Sequence, residues 1–522
     1  MRPAARNSAP RARRRAAALL APALALAACA PPPPPEEAAA VPSARSREVA
    51  RYAVDAYAEA AIATLADLVA FETVHVPGTV NAEQPPFRAM TEYLRAQALE
   101  LGLDFDDRGA VVVLGLGDAE ERLGIVAHGD VQPADPAKWA ADPFRLDTES
   151  EPGRLVGRGT EDDKGPLACA LYALKALADR EVPLARRVEL IVAYTEESDW
   201  GPIQAVLAAW EPPQENVAFD GWYPVVVAEK GWGQVLVSLP LAGPPAGSGP
   251  SLASFTGGAF LSQVPEDAVA VVTGATPRLE AALREAAAAR QGSGVTFMIE
   301  RSAGELTIAA HGVAAHSSTP WEGRNAITHL AALLAGFEWP PSAAAGMVRF
   351  VDELVGTGDN AERFGDLAYA DEFMGPLTLT LATLGEAEGA LTAGISFRRP
   401  VGRTAAEVEA SVEAALAGFR ERSGLSALTW ETAVYDPYVM RDAPQVPVLL
   451  EVFRHYTGQE DAAPIAIGGG TNARLLPNGV TFGPAMPGVP YTGHSEHEFI
   501  TRDQFALNLE MYTAVLAELA GD

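Results

Sequence analysis

The sequence predicts an α/β protein built on a mainly parallel sheet and interrupted by a long α+β insertion. Three observations predict it. Over residues 46–230, helix-period apolar patterns alternate with short β-rich runs, as successive βα units do. At about Gly231 the texture changes to strands and amphipathic helices of α+β type, which continue to about Asp436. The last segment, 437–522, returns to α/β character. At 522 residues the chain is too long for one ordinary core. A domain in two parts, 46–231 and 437–522, around an inserted domain, 232–436, accommodates that length.

The elements follow in order. Residues 1–29 read as an export signal: an Arg-rich start, the apolar run AAALLAPALALAA, then Leu26-Ala27-Ala28-Cys29. That ending resembles the lipobox of bacterial lipoproteins. It implies that Cys29 becomes the lipidated first residue of an exported chain on the periplasmic or cell-surface face of a membrane. An ordinary secretory signal that contains a cysteine is the alternative. The apolar run falls short of the roughly 20 residues that a spanning helix needs. Residues 30–45, Pro-rich and then Ala-, Glu- and Ser-rich, read as an extended tether. Helical spacing marks 54–71, 88–101 and 166–177; strands are expected at 111–116, 123–127, 188–194 and 225–228. The insertion opens with the loop LAGPPAGSGP and carries amphipathic helices at 277–290, 326–337 and 405–423. A helix at 447–456, a glycine turn GGGT at 468–471 and a closing helix at 503–519 complete the chain. Besides Cys29, the one cysteine is Cys169, inside an apolar helical pattern, so no disulfide forms within the mature chain.

The formal charge is −29, and six arginines fall within residues 1–28, so the rest is more acidic still. A surface of that sign repels phosphate backbones and anionic lipid, which argues against nucleic acid as a partner.

Acidic and histidine residues cluster where strands should end. His128 and Asp130 stand in GIVAHGDV, Asp162 and Asp163 in GRGTEDDKG, and Glu196 and Glu197 in AYTEES. Such side chains suit a divalent-metal centre, in which one carboxylate touches both ions and a nearby carboxylate takes a proton from water. Asp130 is too close along the strand to His128 to share its ion, but it can hold the imidazole by a hydrogen bond. Glycines 157, 159 and 165 bracket the paired acid tightly. Of the adjacent Glu196 and Glu197, one can ligate while the other acts as base.

Taken in this order, HGDV, GRGTEDDKG, YTEES, GRNAI and GGGTNAR resemble the M20 metallopeptidases, most closely the PepV-like dipeptidases, from about residue 50 to the end. The resemblance implies an α/β catalytic domain, an α+β lid inserted at 232–436, and two zinc ions that manganese or cobalt could replace. Asp162 would bridge the ions, with His128 and Asp220 completing one site and Glu197 and His494 the other. Glu196 would be the general base and Asp130 the partner of His128. Asp220 lies in AFDGWYP, where the family shows Phe-Pro after a variable residue; His494 lies in YTGHSEHEFI, with His497 the alternative. His316, before SSTP, aligns with the lid histidine that stabilises an oxyanion, whereas His311 reads as an ordinary strand residue. Arg398, with Arg399 beside it, would hold the substrate's terminal carboxylate. Gly469, Gly470, Thr471 and Asn472 would form a backbone nest near it. Ser262 stands in FLSQVPED where an Asn is usual.

The implied function is hydrolysis of small peptides, as a dipeptidase. A deacylase or carboxypeptidase of the same family is the alternative, and a non-catalytic peptide-binding lipoprotein is the alternative of a different class. The long insertion is nearer to the doubled lid that covers its own site, so a monomer is expected.

Overall fold

The structure is a computed structural model that describes residues 41–241, 249–302 and 304–521. The expected export signal with Cys29, residues 30–40 of the tether, and most of the loop LAGPPAGSGP lie outside the described residues.

Apolar alternation along short strands builds the first sheet. From edge to edge it runs Asp104–Asp107, Val111–Leu116, Arg187–Ala193, Arg122–His128, Glu215–Ala218, Gly479–Thr481, Val226–Glu229 and Tyr438–Val439, with Ile465–Ile467 also on Val226–Glu229. The expected α/β class holds, with a parallel centre to the sheet and antiparallel strands beside it. Both flanks are antiparallel, and at one edge the short connection 108–110 returns the chain directly. Val112, Leu114, Leu190 and Val192 face a core shared with helices Ala44–Val69, Lys164–Asp179 and Arg502–Ala520. Their neighbours Val111, Val113, Ile191 and Ala193 face the opposite way, towards Ile203 of helix Gly201–Ala209. Helices therefore cover both faces, as the α/β class requires.

The second sheet is antiparallel throughout. It runs Thr296–Ser302, Glu305–His311, Asp267–Thr273, Ser251–Gly257, Thr378–Ala387, Ala390–Arg399, Gly231–Pro240 and Thr429–Val434. One face packs its own apolar core, which includes Val237, Phe255, Leu283, Leu330, Phe350 and Leu416. Cys169 is buried in helix Lys164–Asp179.

The first helix differs most from its expected bounds. It begins at Ala44, where the Ser43 side chain accepts from the Ser46 amide as N-cap, and it buries Val49, Ala50 and Ala53. The helices Gly201–Ala209 and Ala343–Phe350 had no counterpart in the sequence reading. Among the described residues no helix is long and apolar enough to cross a membrane.

Candidate metal centre

Strand order brings the acidic motifs together. His128 closes Arg122–His128, Glu196 and Glu197 follow Arg187–Ala193, and Asp220 follows Glu215–Ala218. These three strands are parallel neighbours, so their carboxyl ends open on one edge of the sheet. Asp162 arrives from the turn before helix Lys164–Asp179, and His494 from the loop between Gly479–Thr481 and Phe499–Thr501.

Asp162 turns one oxygen to each histidine. Its Oδ1 lies 2.7 Å from His128 Nε2, and its Oδ2 lies 3.0 Å from His494 Nε2. His128 Nε2 is also 4.0 Å from Asp220 Oδ1, and His494 Nε2 is 3.0 Å from Glu197 Oε1. Two donor groups result, His128–Asp162–Asp220 and Asp162–Glu197–His494, each with ligand atoms within 4.8 Å of one another.

Surrounding hydrogen bonds hold these side chains. Buried Glu498 accepts from Arg158 Nη1 at 2.9 Å and from the amides of Gly159, Glu161 and Asp162 at 3.0, 2.9 and 3.1 Å. The turn is tight: a Cβ on Gly165 would lie 2.1 Å from the Thr160 carbonyl oxygen. Gln132 Nε2 donates to Glu197 Oε2 at 2.8 Å, and Tyr491 Oη donates to Asp162 Oδ2 at 2.5 Å. Asp130 holds the His128 ring chiefly through its backbone. His128 Nδ1 bonds its backbone carbonyl at 2.9 Å, with the carboxylate 3.5 Å away. The carboxylate instead accepts from the amides of Glu196 and Glu197 at 3.1 and 3.0 Å, and so fixes the turn that carries both acids.

The electrostatics ask for a cation. Burial pushes the Asp220 carboxyl up to about 7, and burial together with the Asp220 charge lifts Glu196 well above the usual range. Burial also pushes Asp162 up, but hydrogen bonds from His128 and His494 outweigh it and hold that carboxyl well below the usual range. Burial lowers both histidines, and their carboxylate neighbours more than reverse this. His494 Nδ1 is buried without a hydrogen-bond partner. Four carboxylates against two imidazoles, with mixed N and O donors, fit divalent cations such as zinc, manganese or cobalt.

A cavity of about 940 Å³ adjoins this cluster and is lined by His316, Arg398, Gly469, Gly470 and Thr471, as well as Ser262. His316 stands 5.6 Å from His494 between ring centroids. Arg398 Nε has no partner, whereas Arg399 is buried and donates to the carbonyls of Tyr435 and Arg403. The Asn472 side chain lies apart from the cavity lining. The residue starts the 3-10 turn Asn472–Leu475, is 3% exposed, and points its amide into the interior rather than to the cavity. His311 pairs with Asp267 at the exposed end of strand Glu305–His311, and His497 pairs with Glu151 away from the cluster. Gln132, Tyr491 and Trp222 also line the cavity. The motifs carried no signal for the first two, and Trp222 showed only as a departure from the family pattern.

Residues 124–518 match the family described as Peptidase family M20/M25/M40. The YtjP protein of Bacillus subtilis, which carries a dipeptidase name, is 31% identical over 77% of this chain and 84% of its own length. The Beta-Ala-Xaa dipeptidase of Lactobacillus delbrueckii is 27% identical over 90% of this chain and 97% of its own. The fold is shared with human carnosine dipeptidase 1, at a TM-score of 0.56 and 16% identity over 92% of this chain and 100% of that one. This chain belongs to the peptidase family M20/M25/M40, metal-dependent enzymes that hydrolyse peptide bonds.

Proposed function

We propose that the protein is a dipeptidase that cleaves free dipeptides with two divalent cations, zinc foremost. The observation that carries this reading is the sharing of Asp162 between two donor groups, beside a carboxylate, Glu196, that belongs to neither. The dipeptidase names of the relatives support the substrate class. His128, Asp162 and Asp220 would hold one cation, and Asp162, Glu197 and His494 the other. Bound there, the cations would polarise the scissile carbonyl and lower the pKa of nearby water.

The chain's own groups do the rest. Glu196 takes a proton from the attacking water and passes it to the leaving amine. The Ser318 amide donates to His316 Nδ1 at 3.2 Å, which makes Nδ1 an acceptor and leaves Nε2 with the proton. Burial, with the charges of His494 and Arg398, holds His316 well below the usual histidine range, so a neutral imidazole offers that Nε2 proton to the developing oxyanion. Arg398 binds the terminal carboxylate, beside the backbone of Gly469 and Gly470.

The test is hydrolysis of free and N-acylated dipeptides by residues 41–522, after chelation and then return of zinc, manganese or cobalt. Metal-restored cleavage of free dipeptides is expected. Cleavage confined to acylated substrates would make the protein a deacylase instead, and silence throughout would favour peptide capture. The sequence of residues 1–29 further supports export and a lipid anchor at Cys29, and the length of 232–436 supports a monomer. Detergent-phase partition that survives Cys29→Ser, or a dimer mass in sedimentation at micromolar concentration, would overturn these two points.

A further inference from the structure

Glu161 stands next to Asp162 in the glycine-bracketed turn, yet its side chain serves another segment. It is 9% exposed, and its Oε2 accepts from the Thr492 amide at 2.6 Å, from Thr492 Oγ1 at 2.6 Å and from the Gly493 amide at 3.1 Å. Thr492 Oγ1 in turn accepts from the Phe499 amide at 3.1 Å, which closes the loop on itself. The residue that follows these donors is His494, whose φ of 64° lies in the left-handed region that a side chain with a Cβ disfavours. A residue persists there only where its surroundings over-determine the backbone. Gly493 has little latitude, since a Cβ on it would lie 2.2 Å from Tyr491 Oη.

We propose that Glu161 is a positioning residue for His494. Its three hydrogen bonds hold the 491–494 backbone in the conformation that presents His494 Nε2 to Asp162 and Glu197, and so set the affinity of that donor group for its cation. The inference rests on the metal-centre reading above. It also predicts selectivity between the two groups. The backbone at Glu161 and Asp162 is held by Glu498, through bonds that do not involve the Glu161 side chain. Removing that side chain therefore leaves Asp162 in place for His128 and Asp220.

Cobalt titration of the full chain, followed by calorimetry and by visible absorption, tests this on the wild type, Glu161→Gln and Glu161→Ala. The wild type takes up two equivalents. In Glu161→Ala one equivalent weakens by about 10- to 100-fold, the usual effect of losing a group that orients a ligand, while the other stays within about threefold. Glu161→Gln, which keeps one acceptor oxygen, falls between, and it decides the matter if the alanine variant does not fold. The absorption of the weakened site changes, and that of the other site does not. Two unaltered equivalents in both variants, or equal weakening of both together with a lowered melting temperature, would overturn the assignment. A wild type that binds fewer than two equivalents would overturn the metal-centre reading itself.

Discussion

Glu196→Gln separates proton transfer from everything else in this site. Glu196 belongs to neither donor group, so both cations should still bind. Its amide donates to Asp130 Oδ1 at 3.1 Å and its carbonyl accepts from Trp200 Nε1 at 2.7 Å, and a change of side chain leaves both bonds intact. A general base contributes roughly 10²- to 10⁴-fold. At 1.36 kcal/mol per tenfold, the barrier should rise by about 3–5 kcal/mol. Stability should move the other way. Burial and the nearby Asp220 carboxylate make an ionised Glu196 unfavourable, so a neutral amide removes a cost and the metal-free protein should melt higher. The assay is kcat and KM on a free dipeptide, with cation stoichiometry and melting temperature measured on the same preparation. Turnover within about tenfold of wild type, with both cations bound, would show that another group carries the proton.

Asp162→Asn exchanges one shared oxygen for an amide nitrogen that cannot ligate, so calorimetry should find a cation lost and turnover abolished; two equivalents at wild-type affinity would refute the sharing. Arg398→Ala should raise KM for free dipeptides by at least about tenfold, the loss of a charge-assisted pair, and change little for carboxamide-capped ones. Arg399→Ala should leave KM alone and lower the melting temperature, because it removes a buried guanidinium that bonds the carbonyls of Tyr435 and Arg403 and pairs with Asp436; the reverse pattern would exchange their roles. Glu229 titrates stability. Its carboxyl accepts from Thr471 Oγ1 at 2.7 Å and lies 3.8 Å from Arg474, yet burial lifts it to about 7 from an ordinary 4.5. Between those values the folded chain holds a proton that the unfolded chain has released, so stability falls as pH rises, by about 3 kcal/mol for the full shift. Glu229→Gln should flatten that slope in urea melts between pH 5 and 8, and an unchanged slope would refute the assignment.

Legibility followed locality. His128, Asp162 and Glu197 could be read because each sits directly after an apolar strand or within a turn bracketed by glycines, signals carried by consecutive residues, whereas Asp220 and His494 were legible only through the family resemblance. The first helix was read short because its early buried positions include Ala50 and Ala53, which add little to an apolar period. The direction of Asn472 depends on the φ and ψ of a turn that four residues do not determine. The Asp130 carboxylate went unread because its partners, the amides of Glu196 and Glu197, lie 66 and 67 residues away. Gln132, Tyr491 and Glu161 share that difficulty, since each acts on a ligand through a contact made only when distant segments meet.

Those distant contacts explain how the polypeptide can hold a cluster that is unfavourable by itself. Four carboxylates forced together, three after strand ends and one in a turn, repel one another, and a cation can offset that only if the donors already converge. Glu498 reaches from the His494 loop to hold the Asp162 turn, and Glu161 reaches from the Asp162 turn to hold the His494 loop. Each anchor depends on the segment that the other secures. The two parts of the sheet-bearing domain, separated in sequence by the whole antiparallel insertion, are thus tied at the point where their ligands must meet.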